Sequence, residues 1–279
     1  MILLDGKKLK DKILTELKQE FKKTEKKLKI VVIQIGSNPA SNIYISQKKK
    51  MFLELDIEFE HVNLIDNVEE TKIIELIDIL NNDNNVDGIM IQLPVPKRID
   101  IRKVIDKIHP NKDVDGLTNI NKEKLINGID CLVPCTALGI IDLLKEYEIE
   151  LKNKNIVVVG RSELVGKPVS ILLEKEGGNI TICHSKTENL STYTKNADIL
   201  ISAVGKSKLI TKEMVKEGVV VIDVGINKID NKITGDVDFE TVSKKASYIT
   251  PVPGGVGPMT LASLSKNLLK AYNLNKKVN

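Results

Sequence analysis

The sequence predicts a doubly wound α/β fold in two lobes. Three observations predict it. Short β-branched apolar runs recur along the chain, stretches with apolar residues at helical spacing separate them, and the pattern changes character and restarts near residues 135–140. Strands that alternate with amphipathic helices form parallel βαβ units whose sheets are covered on both faces. Lys7 to Lys26 carries apolar residues at helical spacing among lysines and glutamates. Ile30–Ile35 is a β-branched run ending at Gly36, which reads as a buried strand. Asn42–Leu55 reads as a helix, Ile57–Leu64 alternates as a strand, and Glu69–Asn81 is helical. Gly88–Leu93 is a strand that Pro94 and Pro96 stop. In the second lobe a helix over Leu138–Tyr147 precedes the strand Ile156–Val159, then the helix Pro168–Lys175 and the strand Asn179–Cys183. Two more buried strands follow, Ile199–Val204 and Val219–Val224. The last helix, Leu261–Leu274, has no strand after it and is expected to pack back on the first lobe.

Composition narrows the function classes. The 42 basic and 38 acidic residues nearly cancel, aromatics make up 3% and Trp is absent. A nucleic-acid binder concentrates basic residues on one stripe and interleaves aromatics for stacking, so nucleic acid is not expected as a partner. No apolar run approaches the ~18 residues of a membrane helix, and charge arrives too early at the N-terminus for a signal peptide. Cys131, Cys135 and Cys183 form no even disulfide framework, and with three histidines they form no zinc motif. Reduced thiols in a cytoplasmic protein without a metal are the expectation.

A strand running from Ile156 to Val159 enters a turn at Gly160-Arg161-Ser162, and Gly166-Lys167-Pro168 opens a helix. In this arrangement backbone N–H groups at a helix N-terminus hold a pyrophosphate. The glycine spacing departs from the usual fingerprint, because Ser162 stands where the second glycine is expected. The next strand ends Cys183-His184-Ser185-Lys186, without the carboxylate that accepts a ribose 2′-hydroxyl. A hydroxyl, an imidazole and an ammonium there, with the fork of Arg161, suit a 2′-phosphate, which favours NADP.

In the first lobe, Asn38-Pro39-Ala40-Ser41 reads as a turn closing on an N-cap serine. Tyr44 and Lys48 share a face of the following helix, and Met51 and Phe52 lie one turn beyond Lys48. An ammonium among such neighbours is partly desolvated, which lowers its pKa toward the range useful for proton transfer. Lys49 has nearly as apolar a neighbourhood, so spacing alone does not choose between them. Gln92 at a strand end and Asp115 in the turn Lys112-Asp113-Val114-Asp115-Gly116 sit where open α/β sheets place ligands. The dense Gly and Pro of Thr250-Pro251-Val252-Pro253-Gly254-Gly255-Val256-Gly257-Pro258-Met259-Thr260 imply an unusual backbone path that approaches a ligand closely.

With these residues in view, the chain resembles the bifunctional methylenetetrahydrofolate dehydrogenase/methenyltetrahydrofolate cyclohydrolase family nearly end to end. The stretches that carry the resemblance are Ser41-Asn42-Ile43-Tyr44 with Lys48, Ile91-Gln92-Leu93-Pro94, Lys112 to Gly116, Pro134-Cys135-Thr136, Val159 to Ser162, and Pro251 to Thr260. The resemblance selects Lys48 over Lys49. It implies a Rossmann-like NADP-binding domain over 139–255, a folate-binding catalytic domain over 1–138 with 256–279, a cleft between them, and a homodimer joined through the nucleotide lobes. It implies NADP-dependent oxidation of methylenetetrahydrofolate, followed by hydrolysis of the methenyl cation to 10-formyltetrahydrofolate. Lys48 supported by Gln92 is then expected to handle protons, Tyr44 to border the folate rings, and Asp115 to hydrogen-bond the pterin edge. Leu93, Pro253, Gly254, Gly255, Gly257 and Pro258 are expected to shape the folate pocket. Gly160, Arg161, Ser162, His184, Ser185 and Ile226 are expected to hold the cofactor. One departure from the family pattern is Ala137, where a second proline is usual; the substitution leaves the start of the helix less rigidly set.

Overall fold

The computed structural model describes residues 1–230 and 232–276; residues 277–279 of the predicted 256–279 segment lie outside the described residues. The chain runs β1 (Ile2–Leu3), α1 (Gly6–Phe21), β2 (Lys29–Ile35), α2 (Pro39–Glu54), β3 (Glu58–Leu64), α3 (Glu70–Asn82) and β4 (Gly88–Ile91). Then come α4 (Ile101–Ile105), α5 (Asn119–Ile126), α6 (Cys135–Glu146), β5 (Asn155–Val159), α7 (Gly166–Lys175), β6 (Asn179–Cys183) and α8 (Leu190–Thr194). It closes with β7 (Ile199–Ser202), β8 (Val220–Asp223), β9 (Asn227–Ile229), β10 (Lys232–Thr234), α9 (Phe239–Val242), β11 (Tyr248–Ile249) and α10 (Val256–Lys276). Two compact units result. One contains residues 1–12 and 134–263, the other residues 13–133 and 264–279, so the chain passes between units inside α1 and α10.

The smaller sheet has the order β3-β2-β4, all parallel. Ile30 to Ile33 of β2 are fully buried, as continuous β-branched runs in parallel sheets generally are. From α3, Ile73, Ile77 and Leu80 at helical spacing pack into the same core as Val31, Ile33, Ile89 and Ile91. A parallel bridge from Ile89 to Asp113 sets the Lys112–Gly116 turn beside β4. The C-terminal half of α10 belongs to this unit: the Asn267 amide donates to the carbonyls of Val114 and Val133, both at 2.8 Å. That is the return of the last helix expected from the sequence.

The larger sheet has the order β1-β11-β8-β7-β5-β6, with parallel pairing throughout. Its strands β7 and β8 are buried along their whole length. The two-residue strands β1 and β11 and the antiparallel hairpin β9–β10 were not expected, since runs so short carry no periodicity. Helix α6 starts at Cys135, with Pro134 before it, so Ala137 lies fully buried in its first turn. The helix forms there without the proline. Among the described residues no helix is long and apolar enough to cross a membrane.

Close packing around β4 is testable. A Cβ on Gly88 would stand 2.5 Å from Val114 Cγ1 and 2.8 Å from Leu268 Cδ1. Gly88→Ala is expected to destabilise the protein by about 1–3 kcal/mol, read as a lower urea midpoint; an unchanged midpoint would contradict this packing.

Candidate active site

Helix α2 begins one turn earlier than the sequence suggested. Pro39 occupies its first position, where a missing N–H is harmless. The capping role expected of Ser41 falls to Asn38, whose side-chain oxygen accepts from Ser41 N at 3.2 Å. Ser41 is instead buried in the first turn, its hydroxyl 3.5 Å from the Leu93 carbonyl. One turn on, Tyr44 is exposed, Lys48 is half-buried, and Met51 and Phe52 are buried beneath them. Lys49 and Lys50 are exposed.

The Lys48 ammonium donates to Gln92 Oε1 at 2.8 Å. Gln92 is itself fixed from three sides. Its backbone N–H donates to the Ile33 carbonyl at 2.8 Å, its Nε2 donates to the Leu93 carbonyl at 2.7 Å, and its side chain is only 7% exposed. With the amide nitrogen committed to Leu93, the amide oxygen is the atom presented to Lys48. The Leu93–Pro94 peptide that follows is cis.

The Lys112–Gly116 turn divides its labour. The Lys112 ammonium donates to the carbonyls of Leu80, Asn81 and Asp83 at 2.8–3.0 Å, satisfying the C-terminal end of α3, and burial pushes its pKa down. The buried Asp113 carboxylate accepts from Leu117 N, Thr118 N and Asn121 Nδ2 at 2.8–3.1 Å. Gly116 adopts φ +71°. Asp115 is half-buried between these anchors. The bridge between Ile89 and Asp113 makes the chain leave β4 at Gln92 and the turn at Asp115 from neighbouring positions.

In the larger unit, Gly160 follows β5 at φ +121°, and a Cβ there would stand 2.5 Å from the Ala203 carbonyl. Gly166 opens α7 so close to the turn that its Cβ would lie 2.2 Å from the Gly160 carbonyl. These are the two glycines a dinucleotide turn needs, for the tight bend and for close helix–strand packing. The Ser162 hydroxyl occupies the position of the remaining glycine and accepts from Val165 N at 3.2 Å and Gly166 N at 3.4 Å. Those N–H groups are therefore spent on the serine rather than left open as the sequence suggested. The hydroxyl hydrogen and the exposed Arg161 guanidinium remain as donors at the turn. At the end of β6, His184 is half-buried with Nδ1 accepting from Lys186 N at 3.2 Å, and Ser185 is exposed. Ile226, just past β8, is 58% exposed. This donor set, free of carboxylates, fits a phosphorylated dinucleotide.

The Pro251–Thr260 segment lies in the same unit and follows the constrained path its composition implied. The Val252–Pro253 peptide is cis, Gly254 sits at φ +115°, and Gly255 N donates to the Pro251 carbonyl at 2.8 Å. A Cβ on Gly255 would lie 2.6 Å from Thr250 Cβ, so packing explains that glycine. Gly257 has no heavy atom within 4 Å of where its Cβ would be, and Pro253 is exposed. Pro258 is half-buried in the first turn of α10.

Comparison with known proteins decides the family. A profile described as the tetrahydrofolate dehydrogenase/cyclohydrolase catalytic domain matches residues 4–115, and one described as the NAD(P)-binding domain of the same enzymes matches residues 134–276. The chain belongs to the tetrahydrofolate dehydrogenase/cyclohydrolase family. A bifunctional protein FolD from a Sulfurihydrogenibium species is 52% identical over 98% of both chains. The crystal structure of the bifunctional FolD enzyme from Campylobacter jejuni is similar with TM-score 0.96 and 46% identity over 99% of both chains. The FolD enzyme of Trypanosoma brucei, solved with NADP cofactor and inhibitor, is similar with TM-score 0.94 and 32% identity over 99% of both.

Sequence reading missed two buried aspartates of the family's NAD(P)-binding half. Asp223 closes β8 and Asp236 follows the β9–β10 hairpin. An acid ending an otherwise apolar run, as in Val220-Val221-Ile222-Asp223, is the signal that marks the first, because buried carboxylates require partners. The Asp223 carboxylate accepts from Gly225 N, Asp236 N and Val237 N at 2.9–3.0 Å, yet burial pushes its pKa up to about 6. The folded chain therefore holds a proton through an interval in which the unfolded chain has released it. This group's contribution to stability is full below about pH 4 and is lost as pH rises through about 6. Relative to Asp223→Asn, the wild type is expected to lose about 1–3 kcal/mol between those limits. Urea denaturation across that pH range checks it, and parallel stability curves for the two proteins would contradict it.

Proposed function

We propose that this chain oxidises 5,10-methylenetetrahydrofolate to the methenyl cation with NADP and then hydrolyses that cation to 10-formyltetrahydrofolate. The names of its relatives support the two activities, and the half-buried Lys48–Gln92 pair is the observation that carries the hydrolytic one. When bound, NADP supplies the hydride acceptor. Gly160 makes the tight bend beside it, Gly166 lets α7 pack against that bend, and Arg161, Ser162, His184, Ser185 and Ile226 hold it. The run His184-Ser185-Lys186 at the end of β6, which lacks a carboxylate, favours the 2′-phosphate of NADP over the bare ribose of NAD.

Hydrolysis asks for a group that takes a proton and returns it. Water adds to the methenyl carbon, a proton leaves it, and the carbon–nitrogen bond to the ring nitrogen breaks as that nitrogen is protonated. Lys48 serves both transfers, as amine toward the water and as ammonium toward the leaving nitrogen. Gln92 holds its Nζ through an amide oxygen that cannot rotate away without giving up the bond to the Leu93 carbonyl. Asp115 hydrogen-bonds the pterin edge, Tyr44 borders the rings, and Leu93, Pro253, Gly254, Gly255, Gly257 and Pro258 shape the folate site. The open space at Gly257 supports close approach of a ligand there. The same reading makes the protein a cytoplasmic homodimer without nucleic-acid or membrane partners. The edge strand β6, with Thr181 and Ile182 both exposed, supports pairing through the nucleotide units.

The test supplies methenyltetrahydrofolate directly to wild type and Lys48→Met. Hydrolysis is expected to fall by about 10²–10⁴-fold in the variant, with the NADP dissociation constant unchanged. Hydrolysis at the wild-type rate would remove Lys48 from the reaction.

A further inference from the structure

The larger sheet reverses its winding at β5, with β6 on one side and β7 on the other. Ligands of open α/β sheets lie in the crevice outside the carboxyl ends of the strands at such a point. One wall of this crevice is the Gly160–Ser162 turn. The other is the segment after β7, because Gly160 has no room for a Cβ against the Ala203 carbonyl, and Ala203 N donates to the Val159 carbonyl at 2.8 Å. That second wall, Val204-Gly205-Lys206, is exposed and belongs to no helix or strand. Gly205 sits at φ +71° with nothing within 4 Å of a would-be Cβ.

A fully buried carboxylate holds it. Asp236 Oδ2 accepts from Val204 N at 2.7 Å, Gly205 N at 3.2 Å and Ser202 Oγ at 3.1 Å. Its Oδ1 accepts from Lys206 N at 2.7 Å and Asn227 Nδ2 at 3.2 Å. Three successive backbone N–H groups of an exposed turn thus point inward to one acid. Asp236 is held in turn by Asp223, which accepts from the backbone N–H groups of Asp236 and Val237. The two motifs interlock. A Cβ on Gly225 would lie 2.1 Å from Asp236 Oδ1, and one on Gly235 would lie 1.8 Å from Asp223 Oδ2, so each carboxylate fills the space that the other motif's glycine vacates.

Stability alone does not call for this arrangement. The N–H groups of an exposed turn are satisfied by water, whereas burying a carboxylate carries a desolvation penalty of its own. What the buried acid adds is a single backbone conformation for a segment that would otherwise be free to move. We propose that Asp236 is a positioning residue for the cofactor, fixing Val204–Lys206 as the β7 wall of the crevice and so setting NADP affinity without touching NADP. This rests on the cofactor reading given above.

Asp236→Asn preserves size but must turn an amide nitrogen toward the N–H groups of Val204 and Gly205 or toward that of Lys206. Its KM and dissociation constant for NADP are expected to rise about 10- to 30-fold, with kcat at saturating NADP within about threefold of wild type. Hydrolysis of supplied methenyltetrahydrofolate, which consumes no NADP, is expected to stay within about twofold. A merely structural role would lower both activities together. Asn227→Ala removes one donor to the same carboxylate and is expected to show the same pattern at about threefold; it decides the matter if Asp236→Asn does not fold. Wild-type NADP affinity in the variants, or a parallel loss of both activities, would overturn the proposal. Failure of the wild-type protein itself to bind NADP would overturn the cofactor reading and this inference with it.

Discussion

Parallel strands that stop at one end of a sheet leave unpaired N–H groups in the loops beyond them, and the buried aspartates that accept those groups are what the conformation of the loops around the candidate site depends on. Asp113, Asp223 and Asp236 are each at most 4% exposed. Each takes at least two backbone N–H groups from a loop beside a strand end. Buried polar groups must be paired, so once these acids are in place the loops around them have few alternatives. Asp113 thereby shapes the turn that carries Asp115, and Asp236 shapes the wall facing Gly160.

The proposed chemistry uses the same economy on the other side of the chain. Lys48 is a long, flexible side chain that would ordinarily extend into water with its stem on apolar neighbours. Here the Gln92 amide oxygen holds it, and that amide is oriented by the backbone carbonyl of the next residue. Lys112 is the instructive contrast. It is the more buried lysine, but its three ammonium hydrogens are directed at the carbonyls that end α3, leaving none aimed at a ligand. Burial alone does not mark a reactive lysine; the partner does.

Much of this was legible in the sequence, for identifiable reasons. Runs such as Ile30–Ile35 and Ile156–Val159 announce buried parallel strands, and the stretch from Pro251 to Thr260 announces a constrained path through its glycines and prolines. The resemblance supplied the choice of Lys48, which spacing could not, because the contact that distinguishes it from Lys49 reaches 44 residues along the chain to Gln92. Strands β1 and β11 leave no signal in the sequence, because two residues have no period. Asn38 and Ser41 are equally good capping types, and only the start of α2 at Pro39 separates them. Asp223 and Asp236 were invisible as a pair because their interlock joins segments that only the fold brings together.

The most direct measurement follows both products at once when wild-type protein is given methylenetetrahydrofolate with NADP or with NAD. Reduced cofactor and 10-formyltetrahydrofolate should appear in equal amounts with NADP, and far more slowly with NAD. Absence of reduced cofactor with either nucleotide, or reduced cofactor accompanied by accumulating methenyltetrahydrofolate and no formyl product, would contradict a single chain that carries both reactions.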